Sequence, residues 1–264
     1  MHLMIDVLKK KTYVKLLGNL QSQHTLIFIP PATSQCTMIE TFVKEQFKKY
    51  KCVLFDLPAH GLSEGTSYQT IEAYGRWTVA LLQALVKQGQ LARKNYIVGY
   101  SMGALIGFEV AMQQLPFIHG LISISGAASV KGHNAIEDYI EQFSRENFTP
   151  LQVFNAGNPS RPFQKIEAAH EPIVKSLATS PVCYDDLLAV SKYNALERVD
   201  MIRIPVLLFV GEKDKMFEPS CIYTTYRELR GLGSIKAIQN GSHALIFSVP
   251  KVLAKTINEW MGGK

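Results

Sequence analysis

Val98-Gly99-Tyr100-Ser101-Met102-Gly103 follows an apolar run and precedes a run with helical spacing. It reads as a strand, a sharp turn and a helix. A serine with glycines at i−2 and i+2 suits a strained turn that lifts its hydroxyl clear of a sheet, because the glycines let neighbouring backbone come close. Such a turn is a nucleophile elbow, and a random chain of this length and composition would contain about 0.08 copies of the Gly-x-Ser-x-Gly pattern.

Working outward, short apolar and β-branched runs recur at Thr25 to Ile29, Cys52 to Phe55, Asn95 to Tyr100, Leu121 to Ile124, Pro205 to Val210 and Ile235 to Ile238. Continuous apolar runs of this length mark strands buried on both faces. Helical patterns alternate with them. One runs through Phe42, Val43 and Phe47, and another from Met102 to a stop before Pro116. The clearest starts at Thr70, which can cap, and places Ile71, Tyr74, Thr78, Leu81, Leu82 and Leu85 on one face. A helix around Tyr223 to Leu229 and a terminal one with Leu253, Ile257 and Trp260 inward complete the series. The alternation predicts an α/β fold with a mostly parallel, doubly wound sheet flanked by helices, preceded by a strand at Thr12 to Leu17.

The rhythm changes after Gly126-Ala127. Ile136, Tyr139, Ile140 and Phe143 suggest one helix, and Phe163, Ile166, Ile173, Val174 and Leu177 another; Pro150, Pro159, Pro162, Pro172 and Pro181 divide the segment into short pieces. The expected organisation is a core of residues 1–127 and 198–264 with a helical cap inserted at 128–197.

Composition narrows the function classes. The 264 residues are 47% hydrophobic and 19% charged, ordinary for a globular chain. A net charge of +6 invites a nucleic-acid reading, yet Lys9-Lys10-Lys11 is the one tight basic run and segment 128–197 is itself net acidic. No nucleic-acid partner is expected. No apolar run approaches the roughly 18 residues of a membrane helix, and Met1 to Val14 lacks a signal-peptide core. Cys36, Cys52, Cys183 and Cys221 have neither metal-ligand nor compact disulfide spacing, as expected for reduced thiols in a cytoplasmic protein.

A serine hydroxyl needs a base to take its proton, and the base needs a third group to orient it. In chain order these are Ser101, Asp214 at a strand end and His243 after the last strand. With Asp56-Leu57-Pro58-Ala59-His60-Gly61-Leu62-Ser63, Pro205 to Asp214 and Gly241-Ser242-His243, the chain resembles the α/β-hydrolase superfamily, specifically its serine-nucleophile, capped, esterase- or lipase-like members. The resemblance implies Ser101 as nucleophile, His243 as general base and then acid, and Asp214 as the group orienting the imidazole. It also implies an oxyanion hole from the backbone N–H groups of Ala32 and Met102. Here the chain departs from its relatives, which usually carry His-Gly-x where this one has Pro30-Pro31-Ala32; a shift of one residue would put Pro31, which has no N–H, at the donor position.

Thr33 or Ser34 could add a hydroxyl donor, although ordinary loop polarity explains both. His60 and Asp56 read as braces of their own turn. Asp185 and Asp186 read as helix N-caps, and His133 and His170 as histidines that could face a substrate from the cap. His2, His24, His119, His133 and His170 all lack motif context. The expected activity is hydrolysis of a small carboxylic ester, with no metal or organic cofactor and a small-molecule acyl substrate as partner. Thioesters, lactones and small amides stay open, as does a weakly hydrolytic ligand-binding role on the same fold. Phe143, Phe148, Phe154, Phe163 and Ile166 are candidates for either cap core or acyl pocket, and oligomeric state has no sequence signal.

Overall fold

A computed structural model describes residues 1–146, 148 and 179–262. Its sheet has eight strands: β1 (His2–Val7), β2 (Lys10–Gly18), β3 (His24–Ile29), β4 (Lys51–Phe55), β5 (Lys94–Tyr100), β6 (Ile118–Ile124), β7 (Val206–Gly211) and β8 (Gly233–Ile238). They lie in the order β1-β2-β4-β3-β5-β6-β7-β8. β1 and β2 are antiparallel to their neighbours, and β4 through β8 run parallel. The fold is therefore the mostly parallel, doubly wound sheet that the apolar runs predict, with β1 as an added antiparallel edge strand. β1 escaped the sequence reading because only Ile5 and Val7 of its residues are buried, too few to stand out.

Alternation along the strands divides the core into two layers. Ile27, Ile29, Ile97, Leu121 and Leu208 point to one face, where they pack with Trp77 and Leu81 of α2 (Ile71–Lys87), Leu105 and Phe108 of α3 (Met102–Met112), and Ile222 of a helix after β7. Leu26, Phe28, Tyr96, Val98 and Phe209 point to the other face. There they meet Phe42 and Val43 of α1 (Glu40–Gln46) and Leu253 and Ile257 of the last helix. Thr70 caps α2 as expected, its hydroxyl accepting the Ala73 N–H at 3.3 Å.

Every residue of α3 is buried, Glu109 included. That charge is matched by Arg198, whose Nη1 and Nη2 reach the Glu109 carboxylate at 2.9 and 2.6 Å, while the Tyr193 hydroxyl donates to it at 3.0 Å. The bidentate pair ties the chain between β6 and β7 to the helix that carries the elbow.

Within that crossing segment the described α-helices are α4 (Glu137–Ile140), shorter than the pattern through Phe143 suggests, and α5 (Ser180–Ser191), followed by a 3₁₀ helix at Leu196–Met201 that carries Arg198. Pro181 begins α5 instead of breaking the segment, since the first helical turn has no use for the missing N–H. The proposed helix at Phe163 to Leu177, with Phe154, Ile166 and His170, lies outside the described residues. After β7 come α6 (Pro219–Glu228), longer than the expected Tyr223 to Leu229, then α7 (Leu245–Ser248) and α8 (Pro250–Gly262). No helix among the described residues is long and apolar enough to cross a membrane.

Candidate active site

β3 has β4 on one side and β5 on the other, so the strand order reverses there, and the loops leaving β3 and β5 open side by side. Such a crevice is where open α/β sheets bind ligands. Ser101 sits in it with φ 54° and ψ −122°, a conformation a residue with a side chain adopts only under strain. The glycines around it have a measurable purpose. A Cβ on Gly99 would lie 2.3 Å from the Gly103 carbonyl oxygen, and one on Gly126 would lie 2.4 Å from the Ala104 Cβ. The first turn of α3 thus rests directly on the ends of β5 and β6.

His243 Nε2 is 2.8 Å from Ser101 Oγ, and His243 Nδ1 is 2.8 Å from Asp214 Oδ2. The remaining Asp214 oxygen accepts the N–H groups of Met216 and Phe217 at 2.8 and 3.0 Å. A buried carboxylate so held accepts the Nδ1 proton and leaves the Nε2 lone pair facing the serine hydroxyl. The histidine is fixed in turn: Ser125 Oγ donates to its carbonyl at 2.9 Å, and the Phe217 ring meets its imidazole edge-on at 5.0 Å between centroids. A Cβ on Gly211 would lie 2.6 Å from the carbonyl oxygens of Gly241 and Ser242, so the end of β7, which leads into Asp214, and the loop bearing His243 touch backbone to backbone. Burial, with the Asp214 charge adding to it, raises the Tyr100 phenol above its ordinary range. The same two causes push the Cys221 thiol up to about 12, leaving it protonated and unreactive.

The loop after β3 is pressed onto the elbow. A Cβ on Gly103 would stand 2.2 Å from the Ile29 carbonyl oxygen. Among the described residues the N–H groups of Ala32 and Met102 have no hydrogen-bond partner. The Ser34 hydroxyl is used within the loop, donating toward Pro31 and Ala32 carbonyls at 3.3 and 3.2 Å, which is the loop-polarity reading. Asp56 braces its turn through the Leu62 N–H at 3.0 Å, and it also holds the far end of the loop after β3 by accepting the Cys36 N–H at 2.8 Å.

Asp185 and Asp186 are not N-caps. Thr179 stands at that position, and both acids are buried inside α5. Asp185 accepts Arg145 through Nε and Nη2 at 3.0 Å each, Ser67 Oγ at 2.5 Å and Gln69 Nε2 at 2.8 Å. Asp186 accepts the Thr33 N–H at 2.7 Å, His60 Nε2 at 2.9 Å and the Tyr74 hydroxyl. Sequence reasoning missed this link; the one available signal was two acids inside an apolar helical run, Asp185-Asp186-Leu187-Leu188-Ala189-Val190. His133 is paired with Glu218 at 2.9 Å, both largely exposed. Phe148 is buried against Phe143 and Tyr184. Among the described residues no group of three or more His, Cys, Asp or Glu is placed to hold a metal ion.

The sequence profile of a family described as "Serine aminopeptidase, S33" matches residues 22–249. The chain is 22% identical, over 206 residues covering 73% of it and 79% of the relative, to a 2-succinyl-6-hydroxy-2,4-cyclohexadiene-1-carboxylate synthase from Salmonella agona. Its structure is similar to that of a lipase-esterase related protein from Clostridium acetobutylicum, with a TM-score of 0.81, 22% identity, and coverage of 94% of this chain and 98% of the other. It is also similar to an enol-lactonase from Burkholderia xenovorans, with a TM-score of 0.75, 16% identity, and coverage of 98% and 100%.

Proposed function

The chain belongs to the serine aminopeptidase S33 family of α/β hydrolases, and from that premise we propose that it cleaves a small carboxylic ester through Ser101, His243 and Asp214. The observation that carries this reading is the unbroken chain of contacts from Ser101 Oγ through His243 to Asp214, each 2.8 Å long.

In the proposed reaction Ser101 Oγ attacks the ester carbonyl as His243 Nε2 takes its proton. Asp214 keeps the imidazole in the tautomer that can accept, and stabilises the imidazolium that forms. The N–H groups of Ala32 and Met102, uncommitted among the described residues, hold the oxyanion; each such donor is worth about 2.7–4 kcal/mol in the transition state. His243 then returns the proton to the leaving alcohol, and water releases the acyl group by the same steps. Residues 128–197 form the cap over this site in our reading, supported by the contact of α5 with the oxyanion loop through Asp186 and Thr33. Lactones are the nearest alternative substrates, since a cyclic ester undergoes the same attack and a structural neighbour is an enol-lactonase.

The test is steady-state hydrolysis of p-nitrophenyl esters from acetate to decanoate by wild type and Ser101→Ala. Turnover that peaks at one chain length and falls by about 10³-fold or more in the variant supports the assignment. Background rates for both proteins across the ester series, and across simple lactones, would remove it.

A further inference from the structure

We propose that Asp186 is a positioning residue for the oxyanion hole, acting from the crossing segment through the Thr33 amide. The proposal rests on the hydrolase reading above, and its subject is the loop Pro30-Pro31-Ala32-Thr33.

Two prolines leave that loop with two backbone donors, Ala32 N–H and Thr33 N–H. Thr33 has φ 66°, a left-handed conformation that a β-branched residue keeps only when its surroundings impose it. Asp186 Oδ2 supplies the constraint by accepting the Thr33 N–H at 2.7 Å. With the Thr33 amide committed to Asp186, the Ala32 amide in the preceding peptide is left as the loop's available donor. An aspartate replaces here, from 153 residues away in sequence, the local hydrogen bonding that the prolines remove.

The carboxylate is itself over-determined. His60 has an acceptor at each ring nitrogen, the Pro58 carbonyl at Nδ1 and Asp186 at Nε2, both at 2.9 Å. Each side chain of the His60–Asp186 pair is fully buried; burial alone would lower the pKa of the His60 imidazole, but its contacts with Asp186 and the Pro58 carbonyl outweigh that effect and raise the pKa above its ordinary value. The Tyr74 hydroxyl donates to the other carboxylate oxygen. Three donors from α2, the β4–α2 turn and the oxyanion loop thus converge on one side chain of α5.

The test compares wild type, Asp186→Asn, Asp186→Ala and Asp186→Leu as full-length chains, in p-nitrophenyl butyrate kinetics and in amide hydrogen exchange of the segment 30–36. Asparagine keeps an acceptor for Thr33; alanine and leucine do not, and leucine keeps the volume if the alanine variant fails to fold. The expected result for alanine or leucine is exchange in 30–36 faster by about 10-fold or more, with the β5 and β6 strands unchanged. kcat should fall about 10- to 100-fold, part of the 10²–10³ that loss of a whole oxyanion donor costs, while KM stays within about threefold. Asparagine should restore most of both. Loop exchange and kcat like wild type in the alanine or leucine variant, or a uniform loss of protection in every strand, would overturn the proposal. If wild type hydrolyses no ester, the hydrolase reading fails separately, and the exchange comparison still decides whether Asp186 holds the loop.

Discussion

Gly103 and Ile29 meet so closely that a Cβ on the glycine would sit 2.2 Å from the isoleucine carbonyl oxygen and 2.7 Å from that of Pro30. The obstacle is backbone, which cannot swing aside as a side-chain tip would. Gly103→Ala should therefore displace the loop after β3 from the elbow, costing about 1–3 kcal/mol of stability from overpacking alone. Urea unfolding and ester turnover measured together check this: both should fall, and an unchanged midpoint would contradict the contact.

Ser101 has φ 54°, which glycine adopts without penalty. Ser101→Gly should unfold about 1 kcal/mol later than Ser101→Ala, both being inactive, because the strain at that position is relieved only in the first. Chemical denaturation of the two variants measures the difference directly.

Asp214 spends one oxygen on His243 and the other on two backbone N–H groups. In Asp214→Asn an amide group that donates can face Nδ1, favouring the tautomer that cannot accept from serine. kcat should drop by about 10⁴ with little change in the melting temperature. A loss below tenfold would mean that His243 is oriented by other groups.

Removing Arg198 leaves Glu109 buried without its counter-charge. A lone buried charge costs about 3–5 kcal/mol, and the lower end applies because Arg198 is itself 37% exposed and water can reach the gap. Arg198→Met should be strongly destabilised in urea, and Glu109→Gln in the same background should recover part of the loss.

Burial alone would lift the Asp185 carboxyl, but hydrogen bonds from Arg145, Ser67 and Gln69 outweigh it and hold the group below its ordinary value. A depressed carboxylate stabilises the fold above its unfolded value of about 3.9 and loses that contribution as pH falls through the lower, folded value. Asp185→Asn should consequently be less stable than wild type at pH 7, with the gap closing below about pH 4. Unfolding free energies from pH 3 to 8 provide the check, and a gap independent of pH would contradict the assignment.

The Gly-x-Ser-x-Gly turn, the buried strands and the helices flanking them were legible because each is a local pattern: period-2 and period-3.6 burial, and glycines where backbones must touch. Asp214 and His243 were legible through their places at strand ends. The edge strand β1 was not, since its burial is sparse, and neither was α5, whose Pro181 signals a break or a helix start with equal force.

What the sequence by itself determined is the doubly wound sheet, with Ser101 in the turn after one strand and Asp214 and His243 after later ones, because short-range hydrophobic periodicity and motif spacing act within a few residues. Only the tertiary structure decided that His60 and Asp186 form a buried pair and that Asp186 grips the Thr33 amide. Two acids in an apolar helix look alike in sequence whether they cap, repel or pair. Their role is set by which donors the folded chain brings to them, and for Asp186 those donors come from segments more than a hundred residues away.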